Sequence, residues 1–258
     1  MAHWLALVIG NTRWHCAWFQ DTDLRQVWHF AHVATYLELR HLLNAEWNCP
    51  AELLDVPLES LAIYAVSVVP SQAEYLAKMP QVQWIKQIPL KDTYPTMGLD
   101  RIVSLWGAGQ RYGWPVLMID GGTALTFTAG ADACFRGGAI MLGLRSQLKA
   151  LHDYTAALPQ VEPPLHLPKY WAVNTSEAIQ AGVLHPLLAG IHNFIHDWQN
   201  QYPDTAIIFT GGDGQYLHQL YQQYLEQQTQ ALNARTWVDP NLMFWGVAAY
   251  RSDDTRAL

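Results

Sequence analysis

The sequence predicts an α/β fold. Three observations carry this. Apolar runs of strand length alternate with segments of helical spacing along the whole chain. Two of those runs, residues 4–9 and 116–119, enter glycine turns, Gly10-Asn11-Thr12-Arg13 and Asp120-Gly121-Gly122-Thr123. Each turn is followed by a second apolar segment, a repetition that suggests duplicated halves. A third strand, residues 205–209, feeds Thr210-Gly211-Gly212-Asp213 and then a helix, an order that suits nucleotide contact at the carboxyl edge of a sheet.

The elements follow in order. Residues 4–9 and 14–19 read as a hairpin around the GNT turn, with a further strand at 26–30. Residues 35–43 have helical spacing, and 48–57 read as a loop. Residues 61–69 form an apolar strand ending at Pro70-Ser71, with Ser71 a candidate cap for a helix over 72–78. A short strand is expected at 82–88 and a helix over 102–112, which puts Asp100 and Arg101 at or just before a helix start. An Asp there is a good cap. A cation at the positive end of the helix dipole is mildly unfavourable, so capping does not account for Arg101.

Gly113-Trp114-Pro115 is a plausible boundary, giving domains over residues 1–114 and 115–258, with the last helix free to pack back on the first domain. After the central strand, a hairpin around Gly130-Ala131-Asp132 is expected. A glycine-rich segment, 137–143, then leads into a helix over 144–154. Four prolines between 159 and 168 mark a loop. A long helix over 178–198 follows, best capped by Asn174 with Glu177. Helices at 215–228 and 241–250 flank a short strand at 237–239, and the last eight residues read as a frayed polar end.

The turn at 120–123 admits two readings. Asp-Gly is a strong hairpin signal. The same glycines let backbone N–H groups approach a phosphate, while Asp120 at the strand end is placed to hold a cation or its water shell. The pairs His192/His196 and His29/His32 have spacing compatible with metal ligation but lack the Glu of H-E-x-x-H, and they read as ordinary surface histidines.

Composition narrows the class. The formal net charge of −7 argues against a protein that grips nucleic acid or an anionic membrane. Cys16, Cys49 and Cys134 form no C-x-x-C pair, as in a reducing compartment. The apolar run at 5–9 is too short for a signal sequence, and no run approaches a membrane span. A soluble cytoplasmic protein is expected.

Taken together, the segments GNTR, GLDR at 98–101, DGGTALT at 120–126, GGAIMLGL at 137–144, LPQVE at 158–162, NTSEAIQAG at 174–182 and TGGD at 210–213 resemble the type III pantothenate kinases of bacteria. That resemblance implies two RNase H-like (actin-like ATPase) domains with the active site in the cleft between them, and a homodimer. It implies ATP-dependent phosphorylation of pantothenate, the first step of coenzyme A synthesis. By similarity, Asp100 is the general base, and Tyr94, Gly98, Leu99 and Arg101 line the pantothenate pocket. Thr175 is similar to a residue that reaches the substrate across the dimer interface. Gly10, Asn11, Thr12 and Arg13, with Gly121, Gly122 and Thr123, face the phosphates of ATP. Gly211 and Gly212 lie by the adenosine, and Asp120 holds Mg²⁺. A monovalent cation, K⁺ or NH₄⁺, is also implied.

One position departs from the pattern. The family's first motif is usually D-x-G-N-T, and here Val8 replaces the Asp. A valine cannot ligate Mg²⁺ or orient its water. Either Asp120 and the phosphates suffice for the metal, or the chain is a non-catalytic binding or regulatory relative of the same fold.

Overall fold

A computed structural model describes residues 2–44, 60–231 and 235–256. The loop expected at 48–57, with Cys49, lies outside the described residues. The chain divides into two units, Met1–Gln110 with Leu242–Leu258, and Arg111–Asn241.

The first unit is built on a five-stranded sheet in the order β3-β2-β1-β4-β5. β1 (His3–Ile9), β2 (Arg13–Gln20) and β3 (Asp23–Ala31) form an antiparallel meander. β4 (Ala62–Ser67) and β5 (Val82–Trp84) extend it in parallel from β1. Side chains alternate across the sheet. Leu5, Leu7 and Ile9 face one core with Leu39 and Leu43 of α1 (Tyr36–Asn44) and Leu76 of α2 (Pro70–Leu76). Trp4, Ala6 and Val8 take the opposite face, where α7 (Leu242–Arg256) packs on β1 and β4. Its Arg251 guanidinium sits 4.8 Å from the Trp4 ring centroid, and its Trp245 ring meets Phe19 edge-on. This packing explains why the helix continues through residues expected to fray.

α3 (Leu99–Tyr112) crosses α7 at two glycines. A Cβ on Gly246 would lie 2.0 Å from the Val103 carbonyl oxygen, and one on Gly107 would lie 2.2 Å from that of Leu242. Only backbone fits between the two helices there.

The second unit repeats the layout in the order β10-β9-β6-β7-β8. β6 (Val116–Gly121), β7 (Ala124–Ala131) and β8 (Cys134–Leu142) form the meander. β9 (Ala206–Thr210) runs parallel to β6, and β10 (Thr236–Val238) parallel to β9. Strand for strand this is the first sheet again, so the GNT turn between β1 and β2 and the DGGT turn between β6 and β7 are topological equivalents. One face carries the larger core, with Leu144 and Leu148 of α4 (Leu144–Asp153), Ile179 to Ile195 of α5 (Thr175–Gln201), and Leu217 and Leu220 of α6 (Gly214–Gln227).

Several local expectations need correction. Ser71 does not cap α2: the cap position is Val69, and Pro70 occupies the first helical position, where its fixed φ fits and its missing N–H costs nothing. Residues 137–142 are strand, because the β7–β8 ladder runs to Ala124 and Leu142. The β7–β8 turn is Asp132-Ala133, both at positive φ. α5 starts at Thr175, and Asn174 caps it as expected, its side-chain oxygen accepting from the Glu177 N–H at 3.0 Å.

Candidate active site

Within the first unit, the expected residues gather at one edge of the sheet. The GNT turn closes with Gly10 N–H donating to the Arg13 carbonyl at 3.1 Å. Beside it, Val68 N–H donates to the Ile9 carbonyl, so the end of β4 abuts the end of β1. A Cβ built on Gly98 would touch Val68 Cγ1 at 4.0 Å, which brings the start of α3 to the same edge. Gly10, Gly98, Leu99, Asp100 and Arg101 therefore sit at the carboxyl ends of the parallel pair β1/β4, where open α/β sheets bind ligands.

α3 begins at Leu99, earlier than its apolar spacing suggests, so Asp100 lies inside the first turn. Its Oδ1 accepts from the Arg101 N–H at 2.8 Å and would lie 2.5 Å from a Cβ on residue 98. The glycine thus makes room for the carboxylate. Burial pushes the Asp100 pKa up, while backbone N–H donation and the Arg101 charge pull it down by less. The Arg101 guanidinium donates to the Tyr94 hydroxyl at 3.2 Å, tying the approach loop to the helix. A proton acceptor next to a cation and a phenol is a fitting arrangement for deprotonating a hydroxyl on an anionic substrate.

Within the second unit, three segments converge on Asp120. It is the next-to-last residue of β6, opposite Thr210 of β9. Gly211, at φ +81°, would place a Cβ 2.2 Å from Asp120 Oδ1, and Asp213 N–H donates to the Gly121 carbonyl at 2.8 Å. The bend before α4 closes the other side: Gly143 N–H donates to the Thr123 carbonyl at 2.9 Å, and a Cβ on Gly143 would fall 1.9 Å from the Gly122 oxygen. Arg145 of α4 joins the group through Asp213 Oδ1 at 3.0 Å. The Arg145–Asp213 contact is not apparent from the sequence, because 68 residues separate the two.

Among the described residues, no cluster of three His, Cys, Asp or Glu could hold a metal by itself. Mg²⁺ is commonly held by one or two carboxylates together with substrate phosphates and water, a donor set that needs no such cluster. Thr175 is exposed at the start of α5. It lines an apolar hollow of about 730 Å³ with Leu142, Leu151, Tyr154 and Ile179.

The histidine pairs resolve differently from each other. His192 bonds the Tyr221 hydroxyl at 3.0 Å and belongs to helix packing. His29 and His32 do not form a pair. The His32 ring bonds the Gly10 carbonyl at 2.9 Å, and His29 packs edge-on against His15 with centroids 4.8 Å apart. His15 is the residue that sequence reading missed. It is the cross-strand partner of Val8, and its Nε2 lies 3.5 Å from where a Gly10 Cβ would be. Burial, then His29 and Arg13, lower its pKa from 6.5 to about 4.

No helix among the described residues is long and apolar enough to cross a membrane. The profile of the family described as type III pantothenate kinase matches residues 4–197. A relative from Synechococcus sp. (strain JA-3-3Ab), named type III pantothenate kinase, is 39% identical over 252 residues, covering 96% of this chain and 92% of its own length. One from Nostoc sp. (strain PCC 7120), with the same name, is 40% identical, covering 95% of this chain and 92% of its own. Among solved structures, a conserved Baf family protein from Campylobacter jejuni superposes with a TM-score of 0.63 at 19% identity, covering 98% of this chain and 99% of its own. A ROK family glucokinase from Streptomyces griseus, solved with glucose and AMPPNP, gives 0.51 at 12%, covering 96% and 99%. These structural likenesses show an actin-like ATPase and sugar kinase fold.

Proposed function

The chain belongs to the type III pantothenate kinase family, and from that premise we propose that it transfers the γ-phosphoryl group of ATP to the primary hydroxyl of pantothenate, giving phosphopantothenate and ADP. The observation that carries the chemistry is the placement of Asp100. It is a partly desolvated carboxylate in the first turn of α3, beside Arg101, at the edge shared with the GNT turn.

In this reading Asp100 takes the hydroxyl proton as the oxygen attacks the γ-phosphorus, and ADP leaves with the bridging electron pair. Its raised pKa strengthens it as an acceptor. Arg101, held by Tyr94, pairs with the pantothenate carboxylate, and Gly98 and Leu99 shape the pocket floor. Gly10, Asn11, Thr12 and Arg13, with Gly121, Gly122 and Thr123, contact the phosphates through backbone N–H groups and hydroxyls. Gly211 and Gly212 approach the nucleoside. Asp120 is the carboxylate for Mg²⁺, which, when bound, neutralises charge on the phosphates.

Three further assignments belong to the same proposal. A monovalent cation, K⁺ or NH₄⁺, supports turnover. The reaction takes place in the cytoplasm. The protein is a homodimer through the edge strand β8 and its flanking helices, a reading supported by exposed Ile140 and Leu142 (65% and 56%). Thr175, beside the same hollow, then reaches the partner's substrate. The non-catalytic alternative has no observation in its favour beyond Val8.

The test is ADP release with Mg²⁺ across a panel of small hydroxy acids, with and without K⁺. Turnover with pantothenate above all other acids is expected. Turnover with a different acid, or none under any cation condition, overturns the proposal.

A further inference from the structure

The glycine turn of the second unit is held on both flanks by bonds that close into a ring. On one flank, Asp213 N–H donates to the Gly121 carbonyl at 2.8 Å. On the other, the Thr123 carbonyl accepts from Gly143 N–H at 2.9 Å and from the Ser146 hydroxyl at 2.8 Å. The bend at 210–213 and the start of α4 then meet through Arg145, whose Nε donates to Asp213 Oδ1 at 3.0 Å. That ion pair completes the ring around residues 121–123. Asp213 holds the cap position of α6, yet its side chain makes no cap bond. An Asp there ordinarily accepts from the first N–H groups of its own helix. Here the carboxylate is turned to Arg145 instead. Its side chain is only 11% exposed, and a carboxylate so far desolvated is costly without a cation. A second carboxylate stands at the same bend. Asp213 Cβ lies 3.4 Å from where a Gly121 Cβ would be, and Asp120 Oδ1 lies 2.2 Å from where a Gly211 Cβ would be. Without Arg145, the Asp213 charge would stand uncompensated beside Asp120.

We propose that Arg145 is a positioning residue for the nucleotide: it closes the ring that fixes the turn at 121–123 and cancels the Asp213 charge beside that turn. The ligand class is a nucleoside polyphosphate, and the inference rests on the kinase reading for that identity. Arg145 acts through Asp213 and needs no contact of its own with the nucleotide. Backbone N–H groups grip a phosphate well only when the turn that carries them is already in place, so a loosened ring costs affinity rather than chemistry. An uncompensated carboxylate at the turn also repels the phosphates. Both effects fall on the nucleotide and not on the second substrate. Because the task of the cation is to balance Asp213, most of its effect disappears once residue 213 is uncharged.

The experiment titrates Mg²⁺–ADP into the full chain by calorimetry, for the parent, Arg145→Met, Asp213→Asn and the double variant, each with its melting temperature. Arg145→Met should weaken Mg²⁺–ADP on the order of tenfold, between the effects of breaking an exposed and a buried pair. In the Asp213→Asn background the same substitution should cost no more than about twofold. With ATP and pantothenate varied in turn, the ATP KM should rise in step, while the pantothenate KM and kcat stay near their parental values. If Arg145→Met does not fold, Arg145→Gln, whose amide can still donate to Asp213, carries the test in the same direction. Unchanged Mg²⁺–ADP affinity in the folded variant overturns the inference. An undiminished loss in the Asp213→Asn background overturns it too, since that marks a direct phosphate contact. An equal rise in both KM values overturns it as a general loss of structure. Mg²⁺–ADP binding by a parent with no pantothenate turnover defeats the kinase reading alone, and parental turnover with an unmoved affinity defeats the Arg145 assignment alone.

Discussion

Gly211 and Asp120 are in direct apposition: a methyl group on residue 211 would stand 2.2 Å from the Asp120 carboxylate and 2.5 Å from the Gly121 carbonyl oxygen. The backbone at 211 is also at φ +81°, where a side chain is strained. Gly211→Ala is therefore expected to lower stability by about 1–3 kcal/mol and to displace the carboxylate. Denaturant unfolding reads the first effect. Weakened Mg²⁺-dependent ATP binding, by calorimetry, reads the second.

The crossing of α3 and α7 gives a prediction far from the turns. Gly246→Ala puts a methyl group into the Val103 carbonyl, backbone against backbone, so no side chain can move aside. Overpacking of this kind costs about 3 kcal/mol. Because α3 carries Asp100 on its first turn, kcat should fall more than KM rises. Thermal melting and steady-state kinetics on the one variant check both parts.

Acid stability should report on His15. Its folded pKa, about 4, lies below its ordinary 6.5, so the native state binds fewer protons than the unfolded chain between those values. Stability contributed by the neutral ring is complete above pH 6.5 and is lost as pH falls toward 4. His15→Gln should flatten the stability profile in that window. Urea titrations at a series of pH values, in chelator and without nucleotide, provide the measurement.

The edge strand β8 exposes Ile140 and Leu142 where a second chain would cover them. Leu142→Glu should convert a dimer to a monomer while leaving the fold intact. Light scattering gives the mass, and circular dichroism gives the fold. A parent that is monomeric at micromolar concentration contradicts the interface.

Much of this architecture was legible in the chain. The strand–glycine-turn–strand signature at Gly10 and again at Gly121 pointed to repetition, and the two sheets do share one strand order. Among the described residues, the sequence reading located every helix but misjudged several starts. α3 opens at Leu99 because Gly98, with no side chain, lets the Asp100 carboxylate fold back over it, and that is a three-dimensional fit. Ser71 looked like a cap because cap propensity outweighed the proline before it. What sequence could not supply was register. Val8 and His15 are seven positions apart with nothing to mark them as partners, and only the β1–β2 pairing aligns them. The approach of Gly211 to Asp120 and of Gly143 to Gly122 is likewise a matter of packing between segments distant in the chain.

The central claim is that the Asp100 carboxylate takes the proton of the pantothenate hydroxyl. The most direct measurement is phosphopantothenate formation by mass spectrometry for the parent and Asp100→Asn, each across pH and each with its melting temperature. The account predicts product from the parent, with an acid limb above the ordinary carboxylate range because burial raises this group. It predicts no product from the variant, which nonetheless melts higher at neutral pH, since the amide keeps the Arg101 N–H bond and removes a desolvated charge. A variant that forms product at the parental rate would contradict it.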